Sequence, residues 1–566
     1  MPTLHIPYAE TGFFSPLVKD YLDHKSDLSP FYSVLPELSS FPKLIEEKSH
    51  QIFSRELLYT AFKKGYDQLF QTPVSELPIK HARFQFGEEG IGHRKLIPYP
   101  QVEENLEKIL DPNTFTITTG HQLNIFTGPL FTIYKIISTI NLAKAVEKAN
   151  PRYKMVPVFW MATEDHDFKE INHLDIQGKK IEWDLGAQGA TGRLSTQTIG
   201  PVVSRFLSSL GLSPALSTIE SLMQDSYLKY GNLAQATMAL FHQLFGSYGL
   251  LILDADQAPL KKLFSEIIQE DLFKQISHQR VLESNTSLEK LGYPSQIHPR
   301  PINFFYLKEG IRERLVESGE NGFQVLNTEI HFSRDEIIEE IKNHPDRFSP
   351  NVVLRPLYQE KILPNLAYIG GGAEVSYWLS LKSTFDYYKI PFPALFLRNS
   401  AILMGSEIGN CILRLGFKLE DIFKDSKELI RDYVLRASHK KLDLMAEKSR
   451  IQEIFQDIHK ISEAIDPTLS RSAMALATKT LNRLVILEKK LLKKEKDQFD
   501  IQISQILKIK QKLFPNHSLQ ERTSNYFEYF PFFHPDLMNL LIDSLNPLDP
   551  RFTLIIQDFL HESHSY

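Results

Sequence analysis

The stretch with the clearest chemical potential is TEDHDFKEINH, residues 163–173, which directly follows an apolar run. Four adjacent side chains in it are ionisable: Glu164, Asp165, His166 and Asp167. Because burying such groups unpaired is costly, they must be exposed, paired or bound to a ligand. Asp165 or His166 would suit a general base or a ligand for a substrate amine. We therefore predict a catalytic role for these four residues, with Asn172 and His173 as substrate-binding neighbours.

A second set of polar groups lies in the glycine turn TGHQLNIFTGP, residues 119–129. Its candidates for substrate or nucleotide binding are Gly120, His121, Gln122, Asn124, Thr127 and Gly128. Glycine allows a ligand to approach the backbone closely, and the N-terminus of the helix that follows favours an anion. Thr127 is expected to cap that helix. The alternative is a turn that merely needs glycine and a cap.

Two further groups could bind an anion. The segment YIGGGAEVSYW, residues 368–378, resembles a phosphate- or ribose-binding glycine turn that opens a helix. Its candidates are Gly370, Gly371, Gly372, Glu374 and Tyr377. Arg398 and Asn399, in LRNS, can neutralise and orient an anionic group, and Arg355 is another cation aimed the same way. For either arginine, an ordinary surface ion pair is the alternative.

A metal site and a reactive thiol are alternative sources of chemistry. The carboxylates and imidazole of residues 163–173 suit zinc or manganese, but their spacing matches no strict metal signature, so we predict no metal ligand. Cys411 is the only cysteine. Its neighbours are apolar and no histidine lies near it in sequence, which favours a buried structural cysteine over a nucleophile.

The candidate residues follow apolar runs that are predicted to be strands. Five such runs occur, at 114–120, 155–162, 249–254, 365–372 and 393–399, with helices between them. This order predicts an α/β fold with one doubly wound parallel sheet, interrupted by insertions at about 175–245 and 307–352. In such a sheet, ligands bind beyond the carboxyl ends of the strands, so the four polar groups should share one cleft.

The predicted organisation has four parts: an N-terminal helical layer (1–110), the sheet core (111–423), a coiled coil (424–513) and a C-terminal segment packed back on the core (514–566). In the third part, apolar residues recur at heptad spacing: Leu444, Ile451, Ile454, Ile458, Ile461 and Ile465. DPTLS, at 466–470, ends this helix. A second helix is expected to continue through Phe499 to Leu513, which gives an antiparallel hairpin.

Composition limits the partners and the compartment. Lys and Arg number 64 against 69 Asp and Glu, so no overall basic field favours a nucleic-acid partner. The single cysteine excludes an intrachain disulfide framework and suits a reducing compartment, which makes the cytoplasm the expected location. No apolar run approaches the roughly 20 residues of a membrane span, and the N-terminus has no signal-peptide pattern. We expect a soluble, unprocessed protein.

Four blocks of this chain together resemble the cysteine ligase family of bacillithiol biosynthesis, the BshC family: TGHQLNIFTGPLFTIYKI, PVFWMATEDHDFKEINH, YIGGGAEVSYW and LFPNHSLQER. They occur in the same order and at similar separations along nearly the whole chain. The chain departs from the first block at His121, where the family usually has a glutamine. The resemblance implies a Rossmann-like core related to class I aminoacyl-tRNA synthetases, with two connecting-peptide insertions and a coiled coil that forms a homodimer.

The resemblance also implies a reaction, in which the carboxyl of cysteine and the amine of glucosaminyl malate form an amide in the last step of bacillithiol synthesis. The carboxyl must be activated, and ATP or another adenine nucleotide would fit a synthetase-like core. The chain has no clean HIGH tetrapeptide or KMSKS loop, so the sequence leaves both the activator and any metal requirement open. The turn at 120–128 is then expected to hold anionic substrate, residues 164–167 to handle the amine, and Arg398 with Asn399 to orient malate or phosphate.

Two other classes of function remain as alternatives. One is a nucleotide-dependent enzyme with a different substrate, such as a nucleotidyltransferase, which amino-acid-dependent pyrophosphate exchange would distinguish from the ligase. The other is a noncatalytic scaffold built around the coiled coil. A scaffold leaves the polar strand ends unexplained, and it predicts that deletion of 424–513 matters while mutation of 164–167 does not.

Overall fold

The computed structural model describes residues 3–71, 96–319, 322–438, 440, 443–533 and 535–557. The chain divides into two compact units. The large unit consists of Thr3–Ile402 and Leu519–Ile555, and the small unit contains Leu403–Ser518 with Ile556 and Gln557. Within the described ranges, no helix is long and apolar enough to cross a membrane.

The strands, in chain order, are β1 (Thr3–Pro7), β2 (Thr114–His121), β3 (Lys154–Met161), β4 (His173–Ile176), β5 (Lys179–Glu182), β6 (Leu251–Asp254), β7 (Phe304–Lys308), β8 (Ile311–Ser318), β9 (Gly322–Val325), β10 (His331–Ser333), β11 (Phe348–Pro350), β12 (Asn365–Gly370), β13 (Ala394–Leu397), β14 (Ala401–Met404) and β15 (Arg551–Ile556). The α-helices of the large unit are Tyr8–Thr11, Pro16–Leu22, Phe41–Ser49, Arg55–Gln71, Pro100–Lys108, Leu130–Ala149, Phe168–Ile171, Gly200–Ser209, Leu216–Gln224, Leu233–Phe245, Ala258–Lys262, Ser265–Lys274, Ile276–Lys290, Arg334–Asn343, Arg355–Ile362, Gly372–Leu379, Lys382–Tyr388, Gln520–Thr523, Tyr526–Phe533 and Leu537–Ser544. Those of the small unit are Ser406–Arg414, Ser426–Ala437, Met445–Ile465, Pro467–Lys496 and Asp500–Leu513.

Five parallel strands form the central sheet in the order β13-β12-β2-β3-β6. These are the five apolar runs of the sequence, so the predicted doubly wound parallel sheet is confirmed. The strands contain little but buried residues because helices cover both faces of such a sheet. The order of the strands reverses between β2 and β12, and ligands bind at such a switch point in this class of fold.

The turn after β2 differs from the expected helix cap. The helix begins at Leu130 with Pro129 as its N-cap, so Thr127 does not cap it. Phe126, Thr127 and Gly128 instead have φ values of 50, 72 and 63° in succession. Asn525 stabilises this conformation, since its Nδ2 donates to the carbonyls of Phe126 at 2.7 Å and Gly128 at 2.8 Å. A Cβ at Gly128 would lie 2.5 Å from the Cβ of Asn124, so only glycine fits there.

The two insertions differ in structure. The first contains the antiparallel β4–β5 hairpin followed by helices. The second is an antiparallel sheet of order β10-β9-β8-β7-β11, which the sequence analysis did not predict. It begins with β7 at Phe304, ahead of the expected boundary at 307. Strands β8 and β9 alternate buried with partly exposed residues, and the strands of this sheet pair with one another rather than with the central sheet. They therefore lack the long apolar runs of strands that are covered on both faces.

The N-terminal layer is not purely helical, as its first described element is a strand. Strand β1 pairs antiparallel with β15, with Thr3 opposite Ile555. The prediction of a helical layer failed here because the partner strand lies at the other end of the chain, and pairing with a distant strand leaves no local pattern in five residues. Near that end, the helix Gln520–Thr523 packs against the helix Leu130–Ala149 within the large unit.

The small unit contains the predicted antiparallel hairpin. The helices Met445–Ile465 and Pro467–Lys496 are joined at Asp466, and the pair Lys448–Glu488 links them at 2.5 Å. The second helix ends at Lys496, however, and a separate helix starts at Asp500, so the expected continuous run through Phe499 is wrong. Phe499 has φ −118° and ψ 25°, and its ring packs edge-on against Tyr433, a contact that accompanies the break in the helix.

Candidate active site

The two glycine turns at the switch point are joined by a buried lysine. Lys135, on the helix after β2, is 2 % exposed, and its Nζ donates to the carbonyl of Gly120 at 3.0 Å. The same ammonium forms an ion pair with Glu374, on the helix after β12. Sequence reasoning missed Lys135, although a single lysine among the apolar residues of TIYKIIST was a usable signal.

Both carboxylate oxygens of Glu374 accept hydrogen bonds from the protein. Its Oε1 accepts from the Tyr368 hydroxyl at 2.7 Å and its Oε2 from the backbone N–H of Gly371 at 2.8 Å. Burial by itself would raise the pKa of Glu374, but Lys135 and these hydrogen bonds lower it to about 2. Glu374 is therefore an ionised carboxylate that fixes the turn Gly370–Gly372 against Lys135.

Several buried side-chain atoms near this pair have no hydrogen-bond partner among the described residues, and three of them are nitrogens of arginine or histidine: His121 Nε2, Arg355 Nη2 and Arg398 Nε. The ring of Phe131 lies between His121, at 5.1 Å, and the Arg398 guanidinium, at 5.3 Å. Tyr368, which binds Glu374, has its ring 5.7 Å from Arg355. Buried polar groups are nearly always paired, so three unused ones at one switch point indicate a ligand site.

The remaining atoms of both guanidinium groups contact the protein, which fixes the position of each side chain. Arg398 donates to Glu521 at 2.7 Å, and Arg355 donates to Gln359 at 3.0 Å and also interacts with the Tyr377 hydroxyl. Burial, followed by the charge of Lys135, lowers the pKa of His121 to about 3, so its imidazole is neutral at physiological pH. Two guanidinium groups with unused donors suit a carboxylate or a phosphate.

The second half of the site lies where β3 and β6 end. Asp165 accepts from Gln122 Nε2 at 2.6 Å and from the backbone N–H of His166 at 2.7 Å, and Arg312 Nη1 lies 3.9 Å away. Burial opposes ionisation of Asp165, but the His166 side chain, whose Nδ1 lies 3.5 Å from Oδ1, the hydrogen bond from Gln122 and the charge of Arg312 hold its pKa well below the usual range. Such a carboxylate is a poor base, so the geometry favours a role in orienting Gln122 and His166.

His166 contacts a residue from the second insertion. Its Nδ1 lies 2.7 Å from Nη1 of Arg312, on β8, and its ring packs 5.2 Å from that of Phe305, on β7. The side chain of His166 is nearly half exposed, whereas Arg312 is buried. The antiparallel sheet of the insertion thus supplies one wall of the candidate site, and Arg312 was missed because the pairing joins residues 146 positions apart.

Glu164 belongs to a cluster of charged side chains around the ends of β3 and β6. It forms an ion pair with Lys261, whose Nζ also donates to the carbonyl of Phe348 at 2.9 Å. Burial raises the pKa of Glu164. At the end of β6, Asp254 accepts from the Thr163 hydroxyl at 2.6 Å, and its pKa is raised by burial and then by the charge of Asp256.

Sequence reasoning also missed several members of this cluster: Arg193, Asp254, Asp256 and Lys261. Arg193 pairs with Asp256 at 2.6 Å. Asp254 could have been found by the rule that located the other candidates, because it ends a buried strand. The described ranges contain no group of three or more His, Cys, Asp or Glu side chains arranged to hold a metal ion.

The side chains of several predicted site residues contact other parts of the protein or solvent. Asn399 donates to the carbonyl of Asn546 at 2.8 Å and accepts from the Ser138 hydroxyl at 3.0 Å. Asn172 donates to the carbonyl of Trp183 at 3.1 Å and lies 3.1 Å from Nδ1 of His173. The Asp167 side chain is exposed and Thr127 is buried beside Asn525. Asn124 packs against Gly128, and its buried Oδ1 has no hydrogen-bond partner among the described residues. The groups brought together are the following: Gly120, His121, Gln122, Lys135, Glu164, Asp165, His166, Arg355, Gly370, Gly371, Gly372, Glu374, Tyr377 and Arg398.

Comparison with known proteins identifies related sequences over nearly the whole chain. Two family models match: "Bacillithiol biosynthesis BshC, N-terminal Rossmann-like domain" over residues 93–399, and the corresponding "C-terminal coiled-coil domain" over residues 401–557. A protein of Flavobacterium psychrophilum named "Putative cysteine ligase BshC" is 42% identical over 98% of this chain and 99% of its own length. The protein of the same name from Flavobacterium johnsoniae is 40% identical over 98% of this chain and 100% of its own.

Proposed function

The chain belongs to the BshC family of bacillithiol biosynthesis, and from this membership and the site geometry we propose that it is a ligase that joins the carboxyl of cysteine to the amine of glucosaminyl malate. The product amide is bacillithiol, and the reaction is the last step of its synthesis. The observation that carries the substrate assignment is the set of unused buried donors at the switch point, on Arg355 and Arg398.

The balance of charged side chains at the switch point supports an anionic substrate. Lys135, Arg355 and Arg398 are its cations, and Glu374 and Glu521 are its anions, so one positive charge is left over. The malate part of glucosaminyl malate carries carboxylates, which match guanidinium donors in shape and charge. Bound there, an anion would satisfy atoms that the protein leaves unpaired.

The groups at the ends of β3 and β6 suit the amine. Amide formation requires an amine that has lost its proton, and a carboxylate accepts a proton more readily when its pKa is raised. Asp254 and Glu164 both have raised pKa values because they are buried. We assign the role of proton acceptor to Asp254 or Glu164, and not to Asp165, whose pKa is held low.

We further propose that ATP or another adenine nucleotide activates the cysteine carboxyl, because a free carboxylate resists attack by an amine. The residues at the switch point fit a phosphate: three glycines lead into the helix Gly372–Leu379, and Arg398 Nε is unused beside Gly371. When bound, the nucleotide would supply the leaving group for the acyl transfer. Phosphate and malate carboxylate share one recognition chemistry, so separate titration of the two substrates decides which anion Arg355 and Arg398 bind.

The hairpin of the small unit is proposed to form a homodimer. Ile454, Ile461, Ile465, Leu476 and Ile486 are each more than half exposed on it. An exposed apolar surface of this extent on a coiled coil indicates a partner, and a second copy of the chain is the simplest. We place the enzyme in the cytoplasm, where the thiol of its cysteine substrate stays reduced.

The test is a comparison of thiol metabolites in a strain that lacks this protein. We expect glucosaminyl malate to accumulate and bacillithiol to disappear, and re-expression of the wild-type chain should restore both levels. Expression of a His166→Ala chain should fail to restore either level. Its dimeric state and circular dichroism should match those of the wild type, so that the loss is assigned to the site. Normal bacillithiol in the deletion strain would contradict the proposal.

A further inference from the structure

One hydrogen bond constrains what the candidate catalytic histidine can do. Nη1 of Arg312 and Nδ1 of His166 are 2.7 Å apart. Arg312 is 8 % exposed, while the His166 side chain is 45 % exposed, so the arginine approaches from the protein side and leaves the rest of the imidazole open.

The direction of this bond follows from the chemistry of the two groups. A guanidinium has only N–H donors and does not lose its proton in proteins, so Arg312 must donate and Nδ1 must accept. A neutral imidazole that accepts at Nδ1 carries its hydrogen on Nε2. Neither ring nitrogen then has a free lone pair, which a general base would need.

We propose that Arg312 is a positioning residue that holds His166 as an Nε2–H donor, and that this N–H binds an acyl oxygen of the substrate. The inference rests on the proposed ligase function, because amide formation places negative charge on the oxygen of the acyl group under attack. A fixed N–H aimed at that oxygen stabilises the charge without any transfer of its proton. His166 is then an electrophilic residue and the amine proton goes elsewhere.

The arginine is itself held in place. Its Nε donates to the Ser349 hydroxyl at 3.2 Å, and its guanidinium stacks over the Phe305 ring at 4.0 Å. Phe305 also packs against the imidazole of His166, so one ring positions both partners. On the other side, Asp165 Oδ1 accepts from the backbone N–H of His166 at 2.7 Å and lies 3.5 Å from Nδ1, which is longer than a normal hydrogen bond, so Arg312 is the nearer partner of Nδ1. These contacts limit movement of both side chains, as a preorganised donor requires.

The tautomer can be measured directly by ¹⁵N NMR of the full-length chain with labelled histidine, with the His166 signals assigned by their loss in His166→Gln. We expect the wild type to show a protonated Nε2 and an unprotonated Nδ1. Arg312→Met should yield a mixture of tautomers, whereas Arg312→Lys, which keeps a donor, should restore much of the wild-type state. Arg314→Met, on the same strand but exposed, is the matched control and should change nothing.

A kinetic comparison tests the donor role separately. Glutamine can place an amide N–H near the position of Nε2, whereas asparagine reaches only the position of Nδ1. We expect His166→Gln to retain most of the ligase rate, and His166→Asn to lose about 10²-fold, the typical effect of removing one such donor. Equal losses in both variants would overturn the donor role.

The NMR result also separates this inference from the proposed function. A wild-type spectrum with the proton on Nδ1, or a tautomer unchanged in a folded Arg312→Met protein, would overturn the role of Arg312. A chain without ligase activity whose His166 tautomer still depends on Arg312 would instead refute the ligase assignment and support the positioning by the arginine.

Discussion

The buried Lys135 and the partly exposed Glu374 form an ion pair that links the two sides of the switch point in the central sheet. Lys135 follows β2 and Glu374 follows β12, and each also binds the backbone of a glycine turn: the carbonyl of Gly120 and the N–H of Gly371. The pair therefore sets the spacing between the two turns whose polar groups face the proposed anion. The two charges of the pair neutralise each other, so the pair contributes to the site by positioning the two turns.

Breaking this pair should destabilise the large unit. Glu374→Gln leaves the buried Lys135 without its partner, which costs about 3 kcal/mol. Lys135→Met leaves the partly exposed Glu374 and should cost less, and the double variant should cost less than the sum of the two. Urea unfolding followed by tryptophan fluorescence measures this unit alone, because Trp160, Trp183 and Trp378 all lie in it. Additive losses in the double variant would show that the two side chains do not interact.

His121 should make stability depend on pH. Its pKa is lowered to about 3 in the folded protein, below the ordinary 6.5, so the unfolded chain binds a proton first as the pH falls. The stability that depends on neutral His121 is complete above pH 6.5 and is lost between 6.5 and about 3, by up to about 1.4 kcal/mol per pH unit. His121→Gln should remove this slope from urea unfolding, and an equal slope in both proteins would contradict the assignment.

Arg355 is the better residue to replace in a test of the anion site, because replacement of Arg398 would leave the buried Glu521 without its ion-pair partner. Arg355→Gln should raise the KM of one anionic substrate by at least about tenfold, the value of a charge-assisted hydrogen bond, with a smaller effect on the other. Separate titrations with glucosaminyl malate and with ATP identify which anion it binds. Arg280→Gln, at an exposed ion pair, is the control, and an unchanged KM for both substrates would exclude Arg355 from binding.

How much of this the sequence could predict depends on the distance along the chain over which each feature is encoded. The central strands were predictable because each is a local apolar run, and His166 and Glu374 were found because they follow such runs directly. The antiparallel sheet of the second insertion was missed, and with it Arg312, since partly exposed strands that pair with one another carry little local signal. The ion pair of Glu164 with Lys261 joins residues 97 positions apart, so neither segment alone reveals the pairing.

The hairpin of the small unit carries exposed apolar residues that we assign to a dimer interface. Ile461→Glu places a charge in the middle of that surface, so the desolvation cost should shift the chain from dimer to monomer. Light scattering coupled to size-exclusion chromatography measures the mass of the species in solution. Lys460→Glu, next to it and exposed, is the matched control and should stay dimeric. A wild-type chain that is monomeric at micromolar concentration, or an Ile461→Glu chain that remains dimeric, would place the interface elsewhere.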